Sequence, residues 1–205
     1  MEYSSIEMIG LSGVGKTTLF YNMEDNLFEK MDEYYTVHPV KPHKLIFFFE
    51  TLKLIIRFIF SFGFFKSLCV LRSKKNISLF IKLGYRISGI KDRNLSGLVY
   101  LRDSGVLMPL LSSVIDDRIK IDNTMLFKIL INIPLPKYVY CVVDSPDNIY
   151  DRFISRERKL GNDVKGYTIS DFKNANTFLF RLINLLKDVN VNVTVISKIG
   201  VINHD

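Results

Sequence analysis

The stretch from Gly10 to Thr18, which reads GLSGVGKTT, constrains this chain more than any other. Gly10, Gly15, Lys16 and Thr17 fit the pattern G-x-x-x-x-G-K-[ST] of a phosphate-binding loop. A short apolar run precedes the loop, and apolar residues at helical spacing follow it. The order strand, glycine-rich loop, helix is the context in which this pattern binds a nucleotide.

Each residue type in the loop suits one part of a nucleotide with its metal ion. The glycines let the backbone curl so that N–H groups point inward, and the following helix adds the positive end of its dipole. Lys16 is long enough to reach the β- and γ-phosphates, and the Thr17 hydroxyl can ligate Mg²⁺. We therefore expect ATP and Mg²⁺ to bind here, in contact with Gly10, Ser12, Gly13, Val14, Gly15, Lys16, Thr17 and Thr18.

Apolar runs of strand type alternate with helical patterns along the remaining chain. The runs Leu98 to Leu101 and Tyr138 to Val143 are the clearest later strands. Ser170 is the expected N-cap of a long helix that runs through about Lys187. Such alternation predicts an α/β fold with a doubly wound parallel sheet of about five strands, of the P-loop NTPase type. We expect one domain over residues 1–205, with a helical insert at 41–94 after the second strand.

The composition of the chain limits the classes of molecule that it is expected to bind. The chain has 205 residues, 48% of them hydrophobic, and a formal net charge of +7. The positive charge suits anionic small molecules, while the absence of a compact polybasic run argues against a dedicated nucleic-acid site. The two cysteines and three histidines show no metal or disulfide spacing. With no signal-peptide features at the N-terminus, we expect a cytoplasmic location.

The most apolar part of the chain is Leu45 to Leu71. Its charged residues Glu50, Lys53 and Arg57 recur at i, i+3 and i+7, which places them on one helix face. This pattern favours an amphipathic helix, bent or broken at Gly63, over a membrane span. Contact with a membrane surface stays open as an alternative.

A second metal handle is expected from a carboxylate at the end of a strand beside the loop. Asp103 and Asp144 each follow an apolar strand. In a parallel sheet both lie at the carboxyl edge, together with the phosphate-binding loop. We predict that Asp103 is the metal carboxylate, because the third strand usually lies next to the first. A plain turn residue before Gly105 is the alternative for Asp103.

Two arginines follow the fourth strand in the sequence DSPDNIYDRFISR. Arg152 and Arg156 are four residues apart and share a helix face, with Asp147 as the expected N-cap. Guanidinium groups placed there can clamp a phosphoryl group in transfer. A solvated basic face that pairs with Asp151 and Glu157 is the competing interpretation.

Taken together, these motifs resemble the thymidylate kinase-like branch of nucleoside and nucleotide kinases. The resemblance lies in GLSGVGKTT, in the strand that ends at Asp103, and in VVDSPDNIYDRFISR, where the family has an apolar strand, Asp, any residue, Pro, and two arginines at the start of a lid. The middle of the chain, residues 41–94, matches only in being helical.

The resemblance implies transfer of the γ-phosphoryl group of ATP to a small acceptor. Lys16 would stabilise the migrating phosphate, Thr17 and Asp103 would organise Mg²⁺, and Arg152 and Arg156 would close over the phosphates with a lid at 156–166. It also implies that helices of the insert can form a homodimer interface. Thymidylate kinases usually carry Asp-Arg-Tyr at the third strand, where this chain has RDSG at 102–105. A nucleotide, a nucleoside and a sugar-type acceptor therefore all stay open.

Two other functions compete with a kinase. A guanine-binding switch should carry Asn-Lys-x-Asp, which does not occur in this sequence. The remaining alternative is a regulatory or membrane-associated protein that binds nucleotide without a small-molecule acceptor, and the apolar Leu45 to Leu71 stretch motivates it.

Overall fold

The computed structural model describes residues 4–19, 34–36, 42–91, 98–101, 105–197 and 200–202. The strands within these residues are β1 Ser4–Ile9, β2 Tyr34–Thr36, β3 Leu98–Leu101, β4 Tyr138–Val143, β5 Asn192–Ser197 and β6 Gly200–Ile202. The helices are α1, described over 16–19, then α2 Lys44–Phe62, α3 Phe64–Leu71, α4 Lys74–Lys91, α5 Met108–Ile115, α6 Asn123–Leu130, α7 Pro146–Lys159 and α8 Ile169–Asp188.

The strands form one sheet in the order β2-β3-β1-β4-β5-β6. The pairs β2–β3, β3–β1, β1–β4 and β4–β5 are parallel, and β6 runs antiparallel to β5. The predicted α/β fold is confirmed. Within the described residues the sheet has six strands, where about five were expected, because the three residues of β6 fold back on β5. So short a run gives too little periodicity to be recognised as a strand.

β1 lies between β3 and β4, as the choice of Asp103 assumed. Its residues Ile6, Met8 and Ile9 are buried, as expected for a central parallel strand. From β1 the chain crosses to β2, beyond β3, and the later crossovers run the opposite way. Ligands bind at the carboxyl ends of strands where the order reverses in this way. The topology therefore puts the loop that follows Ile9 at such a point.

Helices α7 and α8 begin at residues other than the expected caps. The Ser145 hydroxyl accepts the N–H of Asn148 (3.2 Å) and caps α7, so Asp147 lies in the first turn. Thr168 caps α8 in a reciprocal capping box with Asp171, although Ser170 was the expected cap. In both cases the residue two positions before the expected cap has the extended backbone that an N-cap requires.

Helices α2, α3 and α4 lie between β2 and β3 in the chain, and α2 packs along α4. A Cβ atom on Gly84 of α4 would lie 2.0 Å from the Thr51 hydroxyl, so the two helices meet closely there. The expected break at Gly63 is confirmed, since α2 ends and α3 begins at this residue. None of the helices within the described residues is both long enough and apolar enough to span a bilayer.

Candidate phosphate-transfer site

The phosphate-binding loop is pressed against β4 and α7. Gly10 has a φ of 151°, and a Cβ atom there would lie 2.6 Å from the Val142 carbonyl oxygen. Gly13 has a φ of 94°, and its Cβ would lie 2.9 Å from the carbonyl oxygen of Ile149 in α7. Both positions combine left-handed backbone with backbone neighbours that cannot move aside, so only glycine fits. These glycines bring the loop into direct contact with the helix that carries the arginines.

Lys16 begins α1 and turns its side chain back over the loop. Its Nζ donates hydrogen bonds to the carbonyl oxygens of Gly10 (2.9 Å) and Leu11 (3.3 Å), and the residue is only 8% exposed. A buried ammonium held on backbone oxygens keeps a fixed positive charge beside the loop. Thr17 and Thr18, the next two residues of the helix, are exposed.

Ser12 and Val14 play different parts within the loop. Val14 is fully buried, and its N–H donates to the Leu11 carbonyl oxygen at 3.2 Å. Its side chain therefore anchors the loop to the core. Ser12 is partly exposed, and its hydroxyl accepts a hydrogen bond from Arg156.

Arg152 links α7 to the loop and to the end of β4. Its Nε donates to the Gly13 carbonyl oxygen (2.9 Å), and one of its terminal nitrogens donates to Asp144 Oδ2 (2.6 Å). Burial opposes ionisation of Asp144, but hydrogen bonds from Arg152, Asn148 and the Ser145 N–H outweigh it and hold the pKa of this carboxyl below its usual value. Asp144 therefore stays ionised and fixes the guanidinium against the loop.

Arg156 reaches the loop one turn further along α7. A terminal nitrogen donates to the Ser12 hydroxyl at 3.0 Å, and the same guanidinium donates to Glu157 Oε1 from Nε (2.9 Å) and from a terminal nitrogen (2.5 Å). It also lies 5.6 Å from the ring centroid of Phe153. The two arginines predicted to share a helix face thus both contact the phosphate-binding loop. Pairing of Arg156 with Glu157, the competing interpretation, occurs at the same time.

The lid-like segment at residues 156–166 is short and tied at both ends. Glu157 Oε2 accepts a hydrogen bond from Asn162 (2.6 Å), which joins the end of α7 to the loop beyond it. At the other end, Arg118 donates to the Gly166 carbonyl oxygen and pairs with Asp171 of α8 at 3.2 Å. Gly161, with a φ of 75°, makes the turn between them.

Two aspartates are candidates for the carboxylate that binds the metal ion, and the structure describes one of them. Asp103, the predicted ligand, lies outside the described residues. Asp144 already accepts three hydrogen bonds, with Ser145 N–H and Asn148 on Oδ1 and Arg152 on Oδ2. Its engagement with Arg152 suits a residue that positions the arginine.

The donor set near the loop suits Mg²⁺ held mainly by a nucleotide. Within the described part of the chain, no group of three His, Cys, Asp or Glu residues could hold a metal ion. Mg²⁺ characteristically keeps several waters and takes one or two protein ligands plus substrate phosphates. The exposed Thr17 hydroxyl next to a tightly folded glycine loop matches that requirement.

Glu7 is a feature of this edge that the sequence analysis passed over. It sits in the middle of β1, fully buried, and its Oε1 accepts the N–H groups of Leu107 (2.9 Å) and Met108 (3.2 Å). Burial raises the pKa of Glu7 to about 8, although those hydrogen bonds and the charge of Arg86 act in the opposite direction. A Cβ atom on Gly105 would lie 2.0 Å from Glu7 Cδ. The signal was available, since Glu7 is the one charged residue inside an apolar strand.

Two cavities open near these residues. One, of about 490 Å³, lies between α4 and α5 and is lined by Ile81, Lys82, Tyr85, Arg86, Met108, Pro109, Ser112 and Asp116. Met108 connects it to Glu7 of β1. The other, of about 410 Å³, runs along α7 and is lined by Asp151, Arg152, Ser155, Arg156 and Lys159.

Neither a protein-family model nor a curated protein sequence matches this chain. Its structure is similar to solved structures of the deoxyadenosine kinase from M. mycoides. The structure with bound dATP has a TM-score of 0.49 and 16% identity, over 94% of this chain and 90% of that one. The structure with the products dCMP and dCDP has a TM-score of 0.47 and 16% identity, over 94% of this chain and 89% of that one. The structure with bound dCTP has a TM-score of 0.47 and 15% identity, over the same shares of the two chains.

Proposed function

We propose that this chain is an ATP-dependent phosphotransferase that moves the γ-phosphoryl group of ATP to a small acceptor, in the manner of nucleoside and nucleotide kinases. The observation that carries the proposal is the contact of Arg152 and Arg156 with Gly13 and Ser12 of the phosphate-binding loop. Loop and arginines together make a cationic site whose charge matches a phosphoryl group in transfer.

In this proposal the loop, with Lys16, holds the phosphates of ATP, and Thr17 and Asp103 would hold Mg²⁺. The metal, when bound, would neutralise charge on the β- and γ-oxygens. Arg152 and Arg156 exchange part of their present hydrogen bonds for the oxygens of the moving group. The bond from the γ-phosphorus to the ADP oxygen breaks as a bond to the acceptor oxygen forms. An acceptor hydroxyl gives its proton to Asp103. Residues 156–166 act as the lid that excludes water.

The cavity between α4 and α5 is our candidate for the acceptor site. Its volume of about 490 Å³ falls in the range of small-molecule pockets. Tyr85 offers an aromatic surface, while Arg86, Ser112 and Asp116 offer polar contacts. The cavity adjoins the segment after β3, whose carboxyl end lies beside that of β1. A nucleoside or nucleoside monophosphate, with a flat base and a polar sugar, suits this mixture best.

The proposal is tested by incubating the full chain with ATP and Mg²⁺ and measuring ADP release with nucleosides, nucleoside monophosphates and sugars in turn. We expect release to depend on one of these acceptors and to vanish in Lys16→Ala. Tight ATP binding without acceptor-dependent release across the whole set would contradict the proposal. It would favour the alternative, a nucleotide-binding regulatory protein.

Matched variants distinguish the roles of the two aspartates, Asp103 and Asp144, that follow β3 and β4. Asp103→Asn should lower turnover far more than ATP affinity, because it removes the metal carboxylate. Asp144→Asn should lower turnover less and should weaken the hold on Arg152, since the charge that orients the guanidinium is lost. If Asp144→Asn is the more severe change and also alters the Mg²⁺ requirement, the assignment of Asp103 is wrong.

A further inference from the structure

An unusually apolar surface lies on α2 and α3, apart from the phosphate site. On α2 it consists of the exposed residues Leu45, Phe48, Phe49, Leu52, Ile56 and Phe60, and on α3 of Phe64, Phe65 and Leu68. We call these nine residues the α2–α3 face. Phe60 is 85% exposed and Phe65 82%. Isolated exposed apolar residues are common, but nine of them on two consecutive helices mark an interaction surface.

The α2 part of this face has the geometry of a helix lying on an interface. At 100° per residue its six side chains fall within an arc of about 120°. Leu54 and Phe58 lie on the opposite side and are buried against the protein. Lys44 and Lys53 stand at the two borders of the apolar arc, and both are exposed. Apolar residues flanked by cations are the arrangement of helices that rest in the headgroup region of a bilayer.

The charge of the surrounding segment decides between partners. Residues 42–91 contain ten Lys and Arg and one acidic residue, Glu50, for a formal net charge of +9. The rest of the chain therefore carries −2, so the positive excess lies in the segment that contains the α2–α3 face. Within it, residues 44–72, which include α2 and α3, hold five Lys and Arg and Glu50, for a net charge of +4. Eight of the ten cations are exposed, among them Lys53, Arg57 and Lys66.

A second copy of the chain is a poor match for this surface. A two-fold dimer uses the same patch on both subunits, so it would bring residues 44–72, with their net charge of +4, against a second copy of themselves. Juxtaposed like charges oppose association. An anionic lipid surface, in contrast, offers both the opposite charge and an apolar interior for the phenylalanine side chains.

We propose that the α2–α3 face binds the surface of an anionic lipid bilayer, with α2 parallel to the membrane plane. No helix of the described residues spans a membrane, and this contact is peripheral. The phenylalanines enter the boundary between headgroups and acyl chains, and the flanking cations lie among the anionic headgroups. This interaction is independent of phosphoryl transfer.

The test is co-sedimentation of the full chain with vesicles of phosphatidylcholine alone or with added phosphatidylglycerol, at low and high salt. We expect binding to the anionic vesicles that weakens with salt, and much weaker binding to the neutral ones. Phe60→Glu with Phe65→Glu should weaken anionic binding by roughly 100-fold or more, since each variant replaces a phenyl ring that leaves water on binding by a negative charge. The matched control is Phe180→Glu, on α8, whose side chain is also exposed, at 46%.

The cations are tested in the same assay. Lys53→Gln, Arg57→Gln and Lys66→Gln together should weaken anionic binding by roughly 100-fold, at about fivefold per charge. The control removes three exposed lysines elsewhere, Lys137, Lys173 and Lys187. Circular dichroism and ATP affinity should stay unchanged in every variant. Loss of vesicle binding can then be distinguished from a failure of the proposed kinase function.

Several results would overturn the proposal. These are absence of wild-type binding to anionic vesicles, equal binding to neutral ones, or equal binding by a test variant and its control. A dimer in solution that Phe60→Glu with Phe65→Glu converts to a monomer, without vesicle binding by the wild type, would assign the α2–α3 face to self-association instead.

Discussion

Glu7→Gln should remove a large pH dependence of stability. The Glu7 carboxyl is fully buried in β1, and burial raises its pKa to about 8 from a usual value of 4.5. Between these values the folded chain holds a proton that the unfolded chain has released. The folded state is therefore favoured at low pH, and this contribution is lost as the pH rises towards 8.

The magnitude follows from the shift in pKa. One pKa unit corresponds to about 1.4 kcal/mol, so between pH 5.5 and 8 the free energy of unfolding should fall by roughly 3 kcal/mol from this group alone. Glutamine has nearly the same shape as the protonated carboxyl, and its oxygen can still accept the N–H groups of Leu107 and Met108. The variant should therefore fold and should lack this fall.

The assay is urea unfolding of the wild type and of Glu7→Gln at several pH values from about 5.5 to 8.5. The difference between the two curves cancels the other titrating groups. Met8→Leu, a volume-conserving change at the next buried position of β1, is the control for a general disturbance of the core and should keep the wild-type pH dependence. Parallel curves for wild type and Glu7→Gln would refute the reasoning.

Three further predictions concern the loop, the sheet edge and a helix cap. Gly13→Ala should weaken ATP binding by about tenfold or more in calorimetry, because the new methyl group would lie 2.9 Å from the Ile149 carbonyl oxygen. The control Gly166→Ala, at a position with open space around it, should leave ATP binding unchanged. Gly105→Ala should destabilise the chain by about 2–3 kcal/mol in urea unfolding, because its methyl group overlaps the buried Glu7 carboxyl, and a normal stability would contradict the packing described. Thr168→Ala should cost about 1 kcal/mol through loss of the α8 capping box, and Ser170→Ala should cost less, with the reverse order favouring Ser170 as the cap.

Local sequence signals predicted strands β3 and β4, the break between α2 and α3 at Gly63, and a glycine-rich turn between β1 and α1. The glycines and Lys16 act through their own backbone and nearest neighbours, so a nine-residue pattern suffices to recognise them. Arg152 and Arg156 could be placed on one face of α7 by their spacing alone. Their contact with Gly13 and Ser12, in contrast, depends on how α7 packs after β4, which a one-dimensional pattern does not contain.

Features that arise between distant segments of the chain could not be predicted from local patterns. Glu7 becomes a buried acceptor only because residues 105–108 fold against β1, about one hundred residues later in the chain. The cavity between α4 and α5 likewise needs both helices in place. The N-caps of α7 and α8 differ from the predicted ones for a simpler reason. Several Ser, Thr and Asp residues stand near each helix start, and backbone conformation decides among them.

The central claim is that Arg152 and Arg156 act on the phosphoryl group held by the loop. It is tested most directly by steady-state phosphoryl transfer with Arg152→Ala and Arg156→Ala, set against Arg158→Ala on an exposed part of the same helix. We predict that kcat falls by about 10³-fold when both loop-contacting arginines are removed, with a much smaller change in ATP affinity. Arg158→Ala should retain wild-type turnover. Equal turnover in all these variants, or an equal loss in Arg158→Ala, would contradict the claim.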